Sequence, residues 1–520
     1  MLSSLNRYAA YRIAVSMLWF VLLLGLPLTS FPVLSRLTGS IVAPFSFLPL
    51  MILLLFWLVP YVLERGVFPG EVVPYLYFIL VAAAVTGLGF FLNGFYIRER
   101  NFFDQSLRAF LSVAIGLSFY LVFAAFPRDS LTLRKTLSYI NITGFVLLLW
   151  SLIEIIVLRS KPRVEEMPAI IRIIRNALAV QSPSMIYTNR LTGFAYEPSW
   201  FVRQFNLMLL PIWMAAAFQR LSIYKFRLWI FTIEDFLLAA GLFVFGSSSP
   251  RIGLVALLAS IAYLAMILFL SIHKRLMNWF LKKRKKPVKH LFGVKIILAI
   301  LMLAMMAGLA ASALFGYIEL ASRWDYRYAL LLDNLLKGMG EFSLSTTDII
   351  YRARDLAFFE RMIYWLSGWN VFADYPFGVG LGNSGFYIFD RLHGAGWESY
   401  EIRDVIYQAN QIPNSKNLWT RLLSETGFIG LAIFLVWLYV LWRSAGLTRR
   451  SKTSELKIMG LAGQLFLLAF LLEGFSIDSF AMPYEWIMAG LISASGWLYR
   501  KEFAVEKQLQ IGAAPEKFTS

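Results

Sequence analysis

The chain has 520 residues, of which 59% are hydrophobic and 15% are charged, and its formal net charge is +18. Soluble domains are typically about 45–50% apolar and about 25% charged, so this composition excludes a disordered chain and argues against a soluble enzyme. The absence of Cys excludes disulfides, thiolate nucleophiles and zinc–cysteine sites, and three His argue against a histidine-built metal site. The positive charge bears on membrane topology and anionic lipid; it does not indicate a nucleic-acid partner.

Repeated apolar runs of about 20 residues predict an all-α integral membrane protein, because each run matches a hydrocarbon core of ~30 Å. We predict twelve spanning helices, near residues 11–29, 43–63, 74–95, 107–126, 137–158, 200–219, 228–246, 252–272, 296–316, 426–442, 457–474 and 485–499. An even number places both termini on one side. The loop 273–295 has nine basic and no acidic residues, including the run Lys282-Lys-Arg-Lys-Lys286, which assigns this loop and both termini to the cytoplasm.

The chain divides into five segments on this basis. They are helices one to five in residues 1–158, helices six to nine in 159–316, a large extracytoplasmic loop in 317–416, helices ten to twelve in 417–501, and a cytoplasmic tail in 502–520 that has the composition of a disordered polar end. The segment 317–416 is rich in Trp, Tyr, Phe and Leu and is too long for an idle connection, which predicts a folded helical cap.

Two further helices are predicted outside the spanning segments, from periodicity and from a capping pattern. After Pro168, the isoleucines at 170, 171 and 174 share one helical face, so residues 168–178 are predicted to form a helix in the outer membrane interface. In the cap, a helix is predicted to start at Ser345 and to run through Arg354, Arg361 and Trp365.

The string Gly380-Leu-Gly382-Asn-Ser-Gly385 fits a dinucleotide-binding fingerprint only as a string. Its required setting is a strand, a tight turn and a helix within a βαβ unit, and no such unit is predicted here. We interpret the string as a close-packed turn, and we expect no cofactor.

Arginines near the outer membrane surface are the strongest candidates for function, because charged groups there need partners or a ligand. Arg251 follows Ser247-Ser-Ser-Pro250 at a predicted helix start, where a guanidinium and unbonded N–H groups could meet one anion; the alternative is interfacial snorkelling. Arg203 lies one turn inside the helix that follows Glu197-Pro198-Ser199, and Glu197 is its possible partner.

Arg354 and Arg361 are seven residues apart and would lie about 10 Å apart on one helical face, where they could converge on a diphosphate. The alternative is a solvated face with Asp355 and Glu360 as ion-pair partners.

Acidic residues fall inside several of the predicted spans. Glu234 and Asp235 could belong to a proton relay or could pair with arginines such as Arg227, and we favour structural pairing because the spans contain no periodic series of acids or histidines. Further examples are Glu154 and Glu473.

Several motifs together resemble the O-antigen polymerase and ligase superfamily. They are Arg361-Met-Ile-Tyr-Trp365, Ala373-Asp-Tyr-Pro376-Phe-Gly378-Val-Gly380, Pro413-Asn-Ser-Lys416-Asn417 and Ser424-Glu425-Thr-Gly427-Phe-Ile-Gly430, with Glu197-Pro-Ser199 and Ser247-Ser-Ser-Pro-Arg251 upstream. The resemblance implies a GT-C-like membrane glycosyltransferase on the outer face of the bacterial inner membrane, with an undecaprenyl-diphosphate-linked glycan donor and no metal or cofactor. Many members have His-Asn where this chain has Lys416-Asn417, which weakens the likeness to the ligases in particular.

We therefore expect a polymerase that transfers a growing lipid-linked glycan onto another lipid-linked repeat unit. The candidate catalytic residues are Arg251, Arg361 and Lys416, as a clamp on the departing diphosphate, and Glu197, as the carboxylate that orients an arginine or accepts the acceptor proton. The candidate substrate-binding residues are Arg203, Arg354, Asn417 and Glu425. The loop 29–42 has no acidic residue, which fits a metal-free route and no metal site.

Two alternatives remain open. A ligase would share the donor site and differ in its acceptor, such as a lipid A core, and a lipid-linked glycan flippase would form no bond. The expected partners are the lipid-linked donor and acceptor, membrane lipid and a possible chain-length regulator, with no nucleic acid.

Overall fold

The computed structural model describes residues 9–64, 66–92, 96–97, 100–160, 168–180, 190–248, 251–283, 358–408, 412–477 and 479–512, with scattered residues between 308 and 354. The predicted start of a cap helix at Ser345, the basic run from Arg284 onward and most of the predicted span 296–316 lie outside these residues. In the described part of the chain, helices dominate and strands form only two short antiparallel pairs. These are β1 (Tyr96–Ile97) with β2 (Arg100–Asn101) and β3 (Arg227–Leu228) with β4 (Phe231–Thr232).

The N-terminal half forms ten helices in the described residues. They are α1 (Ala9–Leu24), α2 (Pro32–Thr38), α3 (Phe47–Leu63), α4 (Val73–Leu92), α5 (Phe102–Ala125), α6 (Ser130–Ser160), α7 (Ala169–Leu178), α8 (Pro198–Gln219), α9 (Ile233–Ser247) and α10 (Arg251–Lys283). Short π-helical turns interrupt α3 at Leu54–Leu58 and α8 at Phe205–Leu209.

The C-terminal half places three short helices before three long ones. They are α11 (Phe359–Asp374), α12 (Ser384–Ile388), α13 (Tyr400–Tyr407), α14 (Leu418–Thr448), α15 (Ser454–Glu473) and α16 (Pro483–Gly512). The last helix therefore continues into the segment beyond residue 502 that has the composition of a disordered end.

Helices occupy the predicted spanning positions wherever the structure describes the chain, with ends that differ by up to about a dozen residues. Among the described residues, seven helices are long and apolar enough to cross a membrane, and α1 and α3 are shorter apolar helices. The protein is thus an all-α, multi-pass membrane protein. The total of twelve spans stays a prediction.

An aromatic cluster forms the centre of the bundle where α4, α5, α14 and α16 meet. The Tyr120 hydroxyl contacts Ser493 Oγ at 3.0 Å and accepts a hydrogen bond from Trp437 Nε1 at 3.1 Å. The ring of Trp437 stacks on that of Trp486, with centroids 5.7 Å apart, and Tyr75 packs against both. The hydroxyl of Tyr120 and the indole N–H of Trp437 thus satisfy each other inside the core.

One end of the bundle is held by a buried carboxylate at the start of α4. Glu71 is 3% exposed and accepts hydrogen bonds from Arg500 Nη1 at 2.6 Å and Nη2 at 2.9 Å. Ser444 Oγ donates to the same carboxylate at 2.8 Å. The two-pronged guanidinium contact fixes the ends of α14 and α16 against the beginning of α4.

The predicted interfacial helix is present as α7, and a buried ion pair anchors it to a spanning helix. Arg175 Nη2 lies 3.3 Å from Glu154 Oε1 of α6, and the side chains are 5% and 3% exposed. The backbone N–H of Gly193 also donates to Glu154, at 2.9 Å. Ile170 and Ile173 on the other side of α7 are more than half exposed, as expected of a helix that contacts lipid. Glu154 therefore has a structural partner.

Two further acidic residues of the predicted spans, at the start of α9, also have structural partners. Glu234 accepts hydrogen bonds from Ser222 Oγ at 2.7 Å and from the N–H of Ile223 at 2.9 Å. Asp235 forms a capping box with Thr232. Structural pairing is confirmed for both, but the partners are hydroxyl and backbone groups, and Arg227 instead donates to the carbonyl of Arg220.

The glycine motif and the start of α14 interlock through a break in that helix. Gly427 has φ 69° and ψ −175°, a conformation open almost only to glycine. The break leaves the carbonyls of Ser424 and Glu425 without helical partners, and they accept hydrogen bonds from the N–H groups of Val379 and Gly380, both at 2.9 Å. The cap and the spanning bundle are thus joined by backbone pairing at this point.

We expect Gly427→Ala to destabilise the protein by roughly 2–5 kcal/mol, because it combines a strained conformation with an overpacked contact. A Cβ at this position would lie 2.4 Å from the carbonyl carbon of Phe377. The measurement is the thermal unfolding transition of purified protein in detergent.

Gly446→Ala is the matched control in the same helix, since the nearest atom to its Cβ is Gln464 Nε2 at 3.5 Å. That variant should be neutral or should gain up to about 1 kcal/mol, as glycine is a poor helix former. Equal transitions for the two variants would show that the break at Gly427 does not constrain the fold.

Candidate functional site

A cavity of about 110 Å³ lies where the beginnings of α8, α10 and α11 meet the end of α15. Ten residues line it: Arg190, Ser199, Val202, Arg251, Ile252, Gly253, Phe358, Arg361, Glu473 and Ser476. Three arginines from three separate segments therefore line one partly open cavity. The 20 residues of α15 place this cavity ~30 Å from the other end of that helix, about the thickness of a hydrocarbon core.

Arg251 is the first residue of α10, as the sequence predicted. Ile252 and Gly253 follow it in the first turn and also line the cavity. The first four N–H groups of a helix have no partner within the helix, and its N-terminus carries a partial positive charge. The guanidinium of Arg251 and the N–H groups at the start of α10 can therefore bind the same anion in the cavity.

Arg361 also lines the cavity, but the predicted helix that would carry both Arg361 and Arg354 is interrupted. Phe358 has φ −124° and ψ 5° and is the N-cap of α11, so a new helix begins at Phe359. The N–H of Phe358 donates to the carbonyl of Ala353, five residues earlier, at 2.7 Å. A bond of this span is typical of the end of a helix. The prediction of one continuous helix through both arginines is wrong for this reason.

Arg354 is placed away from the cavity lining. Its guanidinium forms an ion pair with Glu398 and lies over the ring of Phe359, 4.7 Å from the centroid. Its contact with Glu398 ties the cap segment around α13 to the start of α11. Of the two predicted partners, Glu360 instead accepts a hydrogen bond from Ser399 Oγ at 3.0 Å, and Asp355 lies outside the described residues.

Glu473, at the end of α15, is the carboxylate of the cavity. It is 2% exposed, and Asn206 Nδ2 donates to its Oε1 at 2.7 Å. The positive charges of Arg203 and Arg361 both act on it. A carboxylate among several guanidinium groups lowers the cost of bringing like charges together, and it provides a proton acceptor within the same space.

Arg203 lies directly behind the cavity wall and is 3% exposed. Its Nη2 donates to the carbonyl of Ser476 at 3.0 Å, while its Nε is enclosed and has no hydrogen-bond partner in the described part of the chain. The expected pairing with Glu197 is not formed, since Glu473 and the Ser476 carbonyl take that place. Arg203 thus supports the cavity from α8.

Glu197 is one contact removed from the cavity. It is the N-cap residue of α8, and its carbonyl accepts hydrogen bonds from the N–H groups of Trp200 and Phe201, both at 3.1 Å. Ser199 Oγ, which lines the cavity, donates to Glu197 Oε2 at 3.2 Å. The carboxylate therefore orients the hydroxyl of Ser199 in this structure.

Lys416 is not among the residues that line the cavity. Its Nζ forms an ion pair with Glu401 of α13 and lies 4.7 Å from the centroid of the Tyr364 ring. Burial, with smaller effects from Glu401 and Glu360, raises the pKa of Tyr364, so its phenol stays protonated. The lysine and this ring form a separate cationic position on the cap.

Asn417 and Glu425 hold the junction between the cap and α14. The Oδ1 atom of Asn417 accepts hydrogen bonds from the N–H of Trp419 at 2.8 Å and of Thr420 at 3.4 Å, which caps the helix. Glu425 is 2% exposed and accepts hydrogen bonds from Arg421 Nε at 3.1 Å and Ser384 Oγ at 3.1 Å. Asn417 and Glu425, predicted to bind substrate, thus form hydrogen bonds within the protein at this junction.

The string Gly380–Gly385 forms a turn between α11 and α12 that packs on the spanning helices. The N–H of Leu381 donates to Thr86 Oγ1 of α4 at 2.8 Å, and Asn383 Nδ2 donates to Ser106 Oγ of α5 at 2.7 Å. This close-packed turn agrees with our interpretation of the string. Among the described residues, no group of three or more His, Asp or Glu side chains lies close enough to hold a metal ion.

Sequence reasoning missed two members of the cavity. Arg190 Nη2 donates to the carbonyl of Ser248 at 3.3 Å, which brings it beside the start of α10. Nothing in its local sequence marks it, because the contact joins segments that are 58 residues apart. The sequence shows Glu473 as an acidic residue within a predicted span. Its position at the outer end of that span is the one feature that could have indicated a place in the site.

The comparisons with known proteins bear on this same region. Residues 236–435 match the family described as O-Antigen ligase (Wzy_C), a range that includes Arg251, Arg361, Lys416 and the Gly378–Gly430 motifs and is less than half of the chain. No curated protein matches the chain. The match confirms the resemblance to the O-antigen polymerase and ligase superfamily, whose members are membrane enzymes that transfer glycosyl groups; Glu197 and Arg203 precede the matched residues.

Proposed function

We propose that this O-antigen ligase-type chain is a glycosyltransferase that joins undecaprenyl-diphosphate-linked repeat units into a surface polysaccharide, at the outer face of the bacterial inner membrane. The observation that carries the proposal is the cavity in which Arg190, Arg251 and Arg361 meet around Glu473. Three guanidinium groups in one cavity suit a ligand with several negative charges, and a diphosphate is such a ligand.

The position of the cavity supports a substrate carried by lipid. It lies at the ends of membrane-crossing helices, so a headgroup can enter it while its polyprenyl chain remains in the bilayer. The basic segment predicted as a loop at 273–295 begins within the last turns of α10, which starts at the cavity with Arg251 and ends at Lys283. The positive-inside rule assigns that loop to the cytoplasm, so the cavity belongs on the opposite, external side.

The chemistry follows from the charges. The oxygen of an acceptor sugar hydroxyl attacks C1 of the donor sugar, the C1–O bond to the diphosphate breaks, and the bonding electrons leave on the diphosphate oxygen. Arg251 and Arg361 stabilise that growing negative charge, which is the usual role of preorganised cations in such steps. The hydroxyl proton passes to a carboxylate, and undecaprenyl diphosphate is released.

Glu473 is the carboxylate that we assign to this proton transfer. It lines the cavity itself, whereas Glu197 reaches the cavity through the hydroxyl of Ser199. A general base must come within hydrogen-bond reach of the proton that it takes, so position favours Glu473. Glu197 and Arg203 then act as positioning residues, for Ser199 and for the loop at Ser476.

A ligase is the second candidate, and the description of the matched family favours it. Lys416 favours the polymerase, because it stands where many members have a histidine. In the structure this lysine is paired with Glu401 on the cap and does not line the cavity. The acceptor therefore distinguishes the two candidates.

Purified protein incubated with a synthetic lipid-diphosphate repeat unit and a metal chelator should produce a ladder of lipid-linked oligomers. A polymerase needs only this substrate, since the repeat unit serves as both donor and acceptor. A ligase would leave the unit unchanged until a second lipid acceptor is added, and gel analysis of the products distinguishes them. Transport of the labelled lipid across vesicle membranes with no new bond would overturn both enzyme assignments.

Arg251→Ala and Arg361→Ala should each weaken binding of undecaprenyl diphosphate by roughly tenfold or more, because a charge-assisted hydrogen bond contributes about 1.5–3 kcal/mol. Both variants should remain in the membrane and should abolish long chains in cells. Arg450→Ala is the control, since Arg450 is exposed and lies after α14, at the other end of the bundle. Normal chain lengths in both cavity variants would remove the assignment of these arginines.

Glu473→Gln should lower the turnover rate about 100-fold or more, because general bases contribute roughly 10²–10⁴ to rate. Its binding of undecaprenyl diphosphate should change by no more than a few-fold, as glutamine keeps the oxygen that accepts from Asn206. Glu197→Gln should lower the rate less than tenfold. Single-turnover rates and equilibrium binding measure the two effects, and the reverse order of rates would transfer the base role to Glu197.

A further inference from the structure

An aromatic wall continues from the arginine cavity along the first two turns of α11. Phe358 lines the cavity, and the ring of Trp365 packs edge-on against it, with centroids 4.8 Å apart. On its other side Trp365 meets the ring of Phe475, at 5.4 Å. Phe475 is 40% exposed and directly precedes Ser476, another cavity residue.

Arg361 is four residues before Trp365 on the same helix. Side chains with this spacing lie next to each other on one helical face. The guanidinium of Arg361, which would hold a phosphate, is therefore next to the indole ring of Trp365. The aromatic wall of Phe358, Trp365 and Phe475 lies directly beside the charged lining of the cavity.

The indole N–H of Trp365 distinguishes it from a membrane anchor. Its Nε1 is enclosed and has no hydrogen-bond partner in the described part of the chain. A tryptophan of the interfacial belt has its N–H in water or among lipid headgroups, whereas an enclosed and unbonded N–H is unfavourable. Among the described residues, Trp150 shares this property. Five other indoles donate to protein acceptors: Trp19, Trp213, Trp419, Trp437 and Trp486.

We propose that this aromatic wall is the subsite for the donor sugar, the pyranose attached through C1 to the diphosphate. The assignment rests on the proposed function, because it requires the diphosphate in the arginine cavity. A single bridging oxygen separates that sugar from the phosphate, so the ring must lie beside the cations. Pyranose faces carry C–H groups that pack on aromatic rings, and the partly exposed ring of Phe475 offers such a surface beside the cavity.

Two ligands separate this subsite from the cation site. Undecaprenyl diphosphate has the charges and the lipid but no sugar, and the lipid-linked repeat unit has all three. Trp365→Ala should weaken binding of the repeat unit about tenfold or more and leave binding of undecaprenyl diphosphate within about twofold. Trp365→Phe, which keeps a smaller ring, should fall between Trp365→Ala and the wild type.

Trp369→Ala is the matched control, since Trp369 lies one turn further along α11 and is 52% exposed. It should bind both ligands like the wild type. Phe475→Ala provides a second test at an exposed position, where loss of folding is not expected, and it should show the same selective loss as Trp365→Ala.

The outcomes are distinguishable. If the wild type binds neither ligand, the proposed function fails. If the wild type binds both and the Trp365 and Phe475 variants keep full affinity for the repeat unit, the cation site stands and the sugar subsite is rejected. Equal losses for both ligands in these variants would also reject it, because the wall would then support the cavity and not the sugar.

Discussion

The structure depends on the way in which buried carboxylates bring arginines together at the ends of spanning helices. Glu473 is the central example, because Asn206 bonds to it and the charges of Arg203 and Arg361 act on it. Several guanidinium groups cannot share one cavity without a compensating charge. The carboxylate compensates part of that charge and leaves the cavity with a net positive charge, which is the condition for drawing in an anionic ligand.

A second carboxylate fixes the opposite end of the bundle. Glu71 holds Arg500 and Ser444, so the ends of α14 and α16 are tied to the start of α4. The two ends are linked by long helices with an aromatic core between them, and rotation of one helix would disturb both sites. The positions of the cavity arginines are therefore set by the whole bundle as well as by their own segments.

The sequence predicted features that obey local rules. Arg251 at a helix start and the amphipathic helix α7 follow from proline positions and periodicity, and the structure contains both. It could not predict the break at Phe358, because that break depends on contacts between the cap segments. The partners of Arg203 and Arg354, and the presence of Arg190 in the cavity, come from segments far apart in the chain, and no local pattern encodes them.

Backbone hydrogen bonds at the glycine junction connect the cap to the bundle, and this connection affects how a substrate is held. The backbone bonds from Val379 and Gly380 to the carbonyls released at Gly427 join the turn after α11 to α14. The same turn is fastened to α4 and α5 through Thr86 and Ser106. The spacing of Arg361 and Trp365 is set by α11, which carries both, and this attachment connects the end of α11 to the bundle. A sugar diphosphate would then meet its two contacts without any rearrangement of the cap, which lowers the entropic cost of orienting the bond that breaks.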